Sequence, residues 1–148
     1  MASRSVVRHL AEIVIWAHDV ERHLAFYRDL LGLEDITPAG MPNRFLVAAR
    51  TDDGVPEMIV LVPHPEPQAV FPSQKAQRTL HHLAFSVDPG AFDDLLGRLG
   101  RAGLEVRSGV HPVLKSVRTA YVDDPDGNEV ELIAPLAEGA GGESPAPG

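Results

Sequence analysis

Apolar and polar residues alternate in short runs along the first part of the chain. Residues 10–17 are rich in β-branched and aromatic side chains, which predicts a strand. Asp19 follows as a helix N-cap and Gly32 as the residue after a helix C-terminus. The apolar stripe between them has helical spacing and consists of Val20, Leu24, Tyr27 and Leu31. Three more strands are predicted near residues 33–37, 44–50 and 58–62.

The same order of elements then starts again. A strand is predicted over 80–87 and a helix over 88–102, with Asp88 at its start. Its apolar stripe consists of Phe92, Leu95, Leu96 and Leu99. Three further strands are predicted at 104–107, 117–122 and 129–133. The pattern therefore predicts an internal repeat of strand, helix and three strands.

These patterns divide the chain into two modules of one domain. Module 1 covers 10–62 and module 2 covers 80–134. A connector at 63–79, which contains four prolines, joins them. We expect residues 1–134 to form a single domain. The end of the chain, 137–148, is predicted to be a disordered tail because it lacks large apolar residues.

The last hairpin contains a carboxylate in an unusual place. The run 124–128 is dense in turn formers, so the strands on either side have a fixed register. Val130 and Leu132 then point to one face of the sheet, and Glu131 points to the other. Glu131 is either an ordinary solvent-facing residue or a ligand or acid–base group on a concave sheet face.

Composition narrows the possible functions. The chain of 148 residues has no cysteine, so a metal site must use His, Asp or Glu. A formal net charge of -8 argues against a nucleic-acid partner. No apolar run is long enough to span a membrane, and no signal peptide is apparent, so we expect a cytoplasmic protein.

Strand parity brings three candidate metal ligands onto one face. Leu83 and Phe85 should pack under the helix, which leaves His82 on the concave face together with Glu131. Glu12 has the equivalent position in module 1. The set Glu12, His82 and Glu131 suits a divalent metal with open coordination positions, although each residue alone is more often structural or solvated.

The other histidines have different expected positions. Neighbouring His81 is expected to face away from His82. His9 is a rival ligand to Glu12 but should lie on the other strand face. His18 and His23 are expected to be exposed at the start of the helix.

Three runs of residues resemble the vicinal oxygen chelate superfamily, which includes glyoxalase I, extradiol dioxygenases and the bleomycin and fosfomycin resistance proteins. The runs are 26–33 (FYRDLLGL), 82–88 (HLAFSVD) and 121–132 (YVDDPDGNEVEL). The resemblance implies an α+β fold of two tandem βαβββ modules forming a cupped mixed sheet around a metal. It places the family's ligands on Glu12, His82 and Glu131. Extradiol dioxygenases carry His at the first of these positions, and glyoxalase I has a further Glu where this chain has Val60.

The resemblance also implies a range of activities. The first expectation is a metal-dependent, dioxygenase-like enzyme whose substrate chelates the metal through neighbouring oxygens. The alternatives are a glyoxalase-type lyase or isomerase and a non-catalytic antibiotic-binding resistance protein. The metal would be Fe²⁺ or Mn²⁺, with Zn²⁺ or Ni²⁺ as alternatives. A homodimer is expected because the family commonly pairs.

Several residues are candidates for supporting roles. His111 is similarly placed to an acid–base His of extradiol enzymes, although a loop role explains it as well. Tyr121 lies in the strand before the last hairpin and is the second candidate catalytic residue. Trp16 shares the strand face of Glu12 and would wall the cup or pack in the core. Three basic residues could bind an acidic group of the substrate or could be solvated surface charges: Arg44, Lys115 and Arg118.

Overall fold

The computed structural model describes residues 5–136, and the chain divides into two compact units, Met1–Phe71 and Pro72–Gly148. The boundary falls inside the predicted proline-rich connector. The predicted tail at 137–148 lies outside the described residues. No helix in the described part of the chain is long and apolar enough to cross a membrane.

The first unit is a four-stranded mixed sheet with one helical segment. Its elements are β1 (Glu12–Ala17), α1 (Val20–Leu24), a π-helical turn (Ala25–Leu30), β2 (Glu34–Asp35), β3 (Arg44–Ala49) and β4 (Glu57–Pro63). The strand order is β1-β4-β3-β2, with β1 parallel to β4 and the other neighbours antiparallel.

The second unit has the same topology. Its elements are a 3₁₀ turn (Lys75–Gln77), β5 (Leu83–Ser86), α2 (Phe92–Arg101), β6 (Arg107–Gly109), β7 (Val117–Asp123) and β8 (Glu129–Pro135). The order β5-β8-β7-β6, with β5 parallel to β8, repeats that of the first sheet. The prediction of two tandem βαβββ modules in an α+β fold is confirmed.

The first helix changes geometry halfway along, which the sequence pattern did not predict. The Asp19 side chain caps α1 by accepting from the Arg22 N–H at 3.1 Å. After Leu24 the bonding shifts by one residue, so that the Leu31 N–H donates to the Phe26 carbonyl at 3.0 Å. Gly32 then ends the segment with φ 84°, as predicted for a residue after a helix C-terminus.

The prediction that His18 and His23 are exposed is wrong. His23 is fully buried, and its Nδ1 lies 2.8 Å from the Asp19 carbonyl oxygen. It shares the inward face of the helix with Leu24 and Tyr27, and its ring stacks on Tyr27. His18 is half-buried, with its ring centroid 4.1 Å from that of Phe71. Both imidazoles therefore have structural roles in the first unit.

In the second unit several element boundaries differ from the predictions, and the strand predicted over 80–87 covers only Leu83–Ser86. Asp88 begins a turn, in which its carbonyl accepts from the Ala91 N–H at 3.0 Å, and α2 starts only at Phe92. Of the predicted stripe, Phe92, Leu95 and Leu99 are buried and Leu96 is half-buried. The strand predicted at 104–107 pairs with β7 only from Arg107 onward.

The second sheet has an apolar face and a polar face. Arg118 on β7 lies 4.6 Å from the ring centroid of Phe92 and pairs with Asp93, which places α2 against one face. Most of the strand residues that share this face are buried, namely Leu83, Ala120, Val122, Val130, Leu132 and Ala134, whereas Phe85 is half-buried. Since side chains alternate along strands, Glu131 belongs to the other face, as predicted.

In the first unit an ionic cluster fixes the segment before β1. The Asp53 carboxylate accepts from the Thr51 hydroxyl at 2.7 Å and the Val55 N–H at 3.0 Å. It also lies 3.0 Å from His9 Nε2 and 3.3 Å from Arg8. These contacts, first the Thr51 hydroxyl, then the Val55 amide and His9, lower the pKa of Asp53 to about 2. The cluster therefore holds the residues that lead into Glu12.

This cluster predicts a specific loss of stability in acid. Because the pKa of Asp53 is lower in the folded state than in the unfolded state, its contribution is full above about pH 4 and is lost as the pH falls toward 2. We expect Asp53→Asn to lower the melting temperature at pH 7 and to match the wild type near pH 2. The control Asp52→Asn removes a carboxylate that is 89% exposed and should change little at either pH. An equal difference at both pH values would contradict this account.

Candidate metal centre

Glu131 lies at the centre of the polar face of the second sheet. Its strand, β8, is an inner strand, and Glu131 pairs in register with Ala84 on β5 and Tyr121 on β7. This position leaves its side chain 4% exposed. A carboxylate this deeply buried loses most of its hydration, so its neighbours must compensate for the charge.

The side chains that contact Glu131 are a phenol and an imidazole. The Tyr121 hydroxyl donates to Glu131 Oε1 at 2.9 Å. Glu131 Oε2 lies 3.2 Å from His82 Nε2. No Lys or Arg forms an ion pair with Glu131 among residues 5–136. A buried carboxylate without a permanent cation is a site that favours either a protonated imidazole or a metal ion.

The Tyr121 hydroxyl is held in its protonated form. Burial raises the pKa of Tyr121 above its ordinary value, and the hydrogen bond to Glu131 raises it further. A protonated phenol is a donor at neutral pH, so Tyr121 fixes the Glu131 carboxylate in one orientation. Its ring also stands edge-on to His82, with centroids 6.2 Å apart and planes at 88°.

Glu129, two residues earlier on the same face, is electrostatically different. Its Oε1 pairs with Lys75 and its Oε2 with Arg107 at 3.1 Å. Burial raises the pKa of Glu129, but the two ion pairs outweigh it and leave the pKa below its ordinary value. Arg107 also pairs with Asp123 at 2.8 Å. Glu129 is therefore a neutralised structural carboxylate.

His81 does not face away from His82, and that prediction is wrong. The two Nδ1 atoms lie 2.7 Å apart, at hydrogen-bonding distance. The physical reason is that β5 starts at Leu83, so neither histidine has yet entered the strand and strict alternation does not apply to them. His81 can therefore hold the second ring nitrogen of His82 while Nε2 points to Glu131, as is common for imidazoles that bind metals.

Two sets of donors surround His82. Ligand atoms of His81, His82 and Glu129 all lie within 4.8 Å of one another. A metal bound there would have to displace Lys75 and Arg107 from Glu129. The pair of His82 Nε2 and Glu131 Oε2 carries no such competing cation, and an imidazole with a carboxylate is a donor set that suits a divalent metal. The residues present therefore fit a metal at His82 and Glu131.

Glu12 is the first residue of β1 in the first unit and is exposed. In the first unit β1 pairs in parallel with β4, which aligns Val14 with Val60. In the second unit β5 pairs in parallel with β8, which aligns Ala84 with Glu131. Matching these pairs makes Glu12 equivalent to His82, as the repeat predicts. It also makes buried Val60 the counterpart of Glu131, so only the second unit carries this carboxylate.

His111 lies in the loop between β6 and β7. Its Nδ1 accepts from the Leu114 N–H at 2.9 Å and lies 3.2 Å from the Val113 nitrogen. These bonds give it a role in forming the turn. Its hydrogen bonds within residues 5–136 do not include His82, Tyr121 or Glu131, and its acid–base role stays a prediction.

The remaining candidates lie in local ion pairs or on the surface. Arg44 pairs with Asp35, Arg118 with Asp93, and Lys115 donates to the Pro112 carbonyl. Trp16 is 51% exposed, and its ring centroid lies 5.4 Å from that of His64. Trp16 is therefore not a core residue.

The sequence pattern missed both the contact of His81 and the ion pairs of Glu129. The signal for Glu129 was present, because strand parity puts it on the same face as Glu131. Lys75 neutralises Glu129 and not Glu131. Lys75 belongs to the connector, whose sequence has no strand or helix periodicity, so its position over the sheet could not be predicted.

The different environments of Glu129 and Glu131 predict different responses to neutral substitution. In metal-free protein at pH 8, where imidazoles are ordinarily neutral, Glu131→Gln should keep or raise the free energy of unfolding, because an uncompensated buried charge is removed. The matched change Glu129→Gln should lower it by about 1 kcal/mol, because two cations lose their partner. Urea unfolding with a chelator present measures both. A larger loss for Glu131→Gln would mean that its charge is already compensated within the protein.

Comparison with known proteins agrees with this fold. A profile of the Glyoxalase/Bleomycin resistance protein/Dioxygenase superfamily matches residues 9–132. A comparison with curated proteins finds no match.

Solved structures share the fold over nearly their whole length. A glyoxalase/dioxygenase from Nostoc punctiforme is 24% identical, with a TM-score of 0.68 over 91% of this chain and 96% of that one. The fosfomycin resistance protein FosX from Listeria monocytogenes is 22% identical (TM-score 0.62; 90% and 98% covered). The antibiotic binding protein TnmS3 from a Streptomyces species is 22% identical (TM-score 0.57; 89% and 99%). At these identities the likeness shows the fold alone, whereas the profile match covers most of the chain, which therefore belongs to the Glyoxalase/Bleomycin resistance protein/Dioxygenase superfamily.

Proposed function

We propose that the chain is a metal-dependent, dioxygenase-like enzyme that acts on a small substrate. Glu12, His82 and Glu131 would hold the divalent metal, and the substrate would chelate it through neighbouring oxygens. The proposal treats residues 1–134 as one working domain. The superfamily assignment is compatible with this activity and with lyase, isomerase or binding roles.

The observation that carries the proposal is the environment of Glu131. Its side chain is 4% exposed, its Oε2 faces His82 Nε2, and no Lys or Arg in the described chain neutralises it. The nearby Glu129 pairs with two cations, Lys75 and Arg107. Carboxylates on this sheet face can therefore be neutralised by side chains of the protein, and Glu131 is not neutralised by a Lys or Arg of residues 5–136. A charge left uncompensated next to an imidazole is what a metal site needs before the metal binds.

The metal supplies the chemistry that these side chains lack: Fe²⁺ or Mn²⁺ would allow reaction with dioxygen, whereas Zn²⁺ or Ni²⁺ would act as a Lewis acid. The protein's part is to orient and to hold protons. His81 Nδ1 lies at hydrogen-bonding distance, 2.7 Å, from His82 Nδ1 and so orients the His82 ring. The Tyr121 hydroxyl stays protonated and donates a hydrogen bond to Glu131 Oε1.

Metal content tests the proposal directly. Protein purified without a metal-binding tag, or reconstituted with Fe²⁺ or Mn²⁺, should contain about one equivalent of metal by elemental analysis. His82→Ala and Glu131→Gln should each lose it because each removes one donor from a small set. The matched control Glu129→Gln should retain it. Wild-type protein that takes up no metal, even after reconstitution, would refute the site.

Activity should follow the same residues. Glu131→Ala is expected to abolish turnover of catechols under oxygen while circular dichroism shows a retained fold. Iron or manganese as the resident metal favours the oxygenase, whereas zinc or nickel favours lyase or isomerase chemistry. The expected homodimer and the acid–base role of His111 are part of the same proposal.

A second candidate is a binding protein that sequesters a small aromatic molecule without turnover. Val14 and Trp16 lie on one face of β1 and are 53% and 51% exposed, and the equivalent of Glu131 in that sheet is apolar Val60. TnmS3, an antibiotic binding protein, has a similar fold.

Because Trp16 is the single tryptophan of the chain, its fluorescence separates the two candidates. A sequestering protein should show quenching by an aromatic ligand with the same affinity before and after chelation. Trp16→Phe with the ligand followed by calorimetry serves as the control. For the enzyme, chelation should weaken binding of a catechol by at least about tenfold, since the chelating oxygens lose their anchor.

A further inference from the structure

The ring of Tyr121 lies directly on the backbone of Gly109. Gly109 is the last residue of β6 and pairs with Thr119, so Tyr121 is its diagonal neighbour on the same sheet face. A methyl group at position 109 would overlap Tyr121 Cε2. It would also lie 2.7 Å from Thr119 Oγ1 and 3.0 Å from Tyr121 Cδ2.

The position requires the absence of a side chain and not an unusual backbone. Five glycines have positive φ in the described residues, and Gly109 is not among them. Alanine is therefore compatible with the strand conformation at 109, and its cost comes from the overlap with the Tyr121 ring and from the close approach to the Thr119 hydroxyl. A glycine inside a strand often marks such a close approach.

The place of the ring decides the orientation of Glu131. The Tyr121 hydroxyl holds Glu131 Oε1 at 2.9 Å, which leaves Oε2 directed at His82 Nε2, 3.2 Å away. If the ring moved away from β6, the hydroxyl would move with it. The carboxylate would then lose the contact that fixes which oxygen faces His82.

We propose that Gly109 is a positioning residue for this centre. Because position 109 has no side chain, the Tyr121 ring can pack against its backbone, and in this position the Tyr121 hydroxyl orients Glu131 toward His82. The metal-binding part of this inference rests on the proposed function. The contact of Gly109 with Tyr121 and the hydrogen bond to Glu131 do not.

The first measurement needs no metal. A double-mutant cycle of Tyr121→Phe and Glu131→Met, which removes the acceptor oxygen, followed by urea unfolding in chelator, gives the coupling between the two side chains. We expect coupling in the wild-type background and none in the Gly109→Ala background. Coupling of the same size in both backgrounds would overturn the inference, whatever the metal results are.

The second measurement uses Zn²⁺ as the probe, in competition with a chromophoric chelator. Gly109→Ala and Tyr121→Phe should each weaken Zn²⁺ binding by about tenfold or more, as expected for residues that orient a ligand. Because both act through one hydroxyl, the double variant should bind no more weakly than Tyr121→Phe. Independent, multiplying losses would overturn the inference in favour of a general structural effect. A wild type that binds no Zn²⁺, Fe²⁺ or Mn²⁺ would refute the proposed function, while the unfolding cycle still decides the role of Gly109.

Two further variants guard against trivial outcomes. Gly100→Ala adds a methyl group to α2, where no atom lies within 4 Å, and should leave both readouts unchanged. If Gly109→Ala unfolds the protein, adding Tyr121→Leu together with Thr119→Ala should restore cooperative unfolding, because the added methyl group overlaps the ring and lies 2.7 Å from the Thr119 hydroxyl. Failure of this rescue would overturn the assignment.

Discussion

An ionised carboxylate in a protein interior needs positive charge close by, and the polar face of the second sheet meets this need unequally. Glu129 has Lys75 and Arg107 as partners, whereas Glu131 has, within the part of the chain that the structure describes, only a phenol and an imidazole. Both residues lie on β8 and share one face. The difference therefore comes from the side chains of other segments, since Lys75 and Arg107 contact Glu129 but not Glu131. The charge of Glu131 is the constraint around which His81, His82, Tyr121 and Gly109 are arranged.

The side chains at matched positions, and not the backbone, explain why this arrangement is confined to one half of the repeat. Both sheets have the same strand order and the same parallel pairing of first and last strands. In the first sheet, the residues that match Glu131 and Tyr121 by register are Val60 and Phe45. The duplicated topology thus holds an apolar pair in one unit and a hydrogen-bonded polar pair in the other.

Much of this was predictable from periodicity, because strand parity needs only the sequence. The faces of Val130, Glu131 and Leu132 follow from alternation once the turn fixes the register. The prediction for His81 was wrong because strand alternation was applied to residues that precede the start of β5 at Leu83. His23 was misplaced because a polar residue near a helix start was taken as exposed, although it falls on the inward face. The neutralisation of Glu129 by Lys75 is a contact with a connector residue 54 positions away in sequence, and no local pattern encodes it.

The parallel pairing of β5 with β8 has a consequence for how the second unit folds. Parallel neighbours cannot be joined by a tight turn, and here α2, β6 and β7 all lie between them in sequence. Contacts between strands so distant along the chain form slowly, because a long loop must close first. His82 and Glu131 therefore meet only when the whole unit has closed. Any ligand that requires both residues selects the completed fold and, by mass action, stabilises all of the second unit against opening.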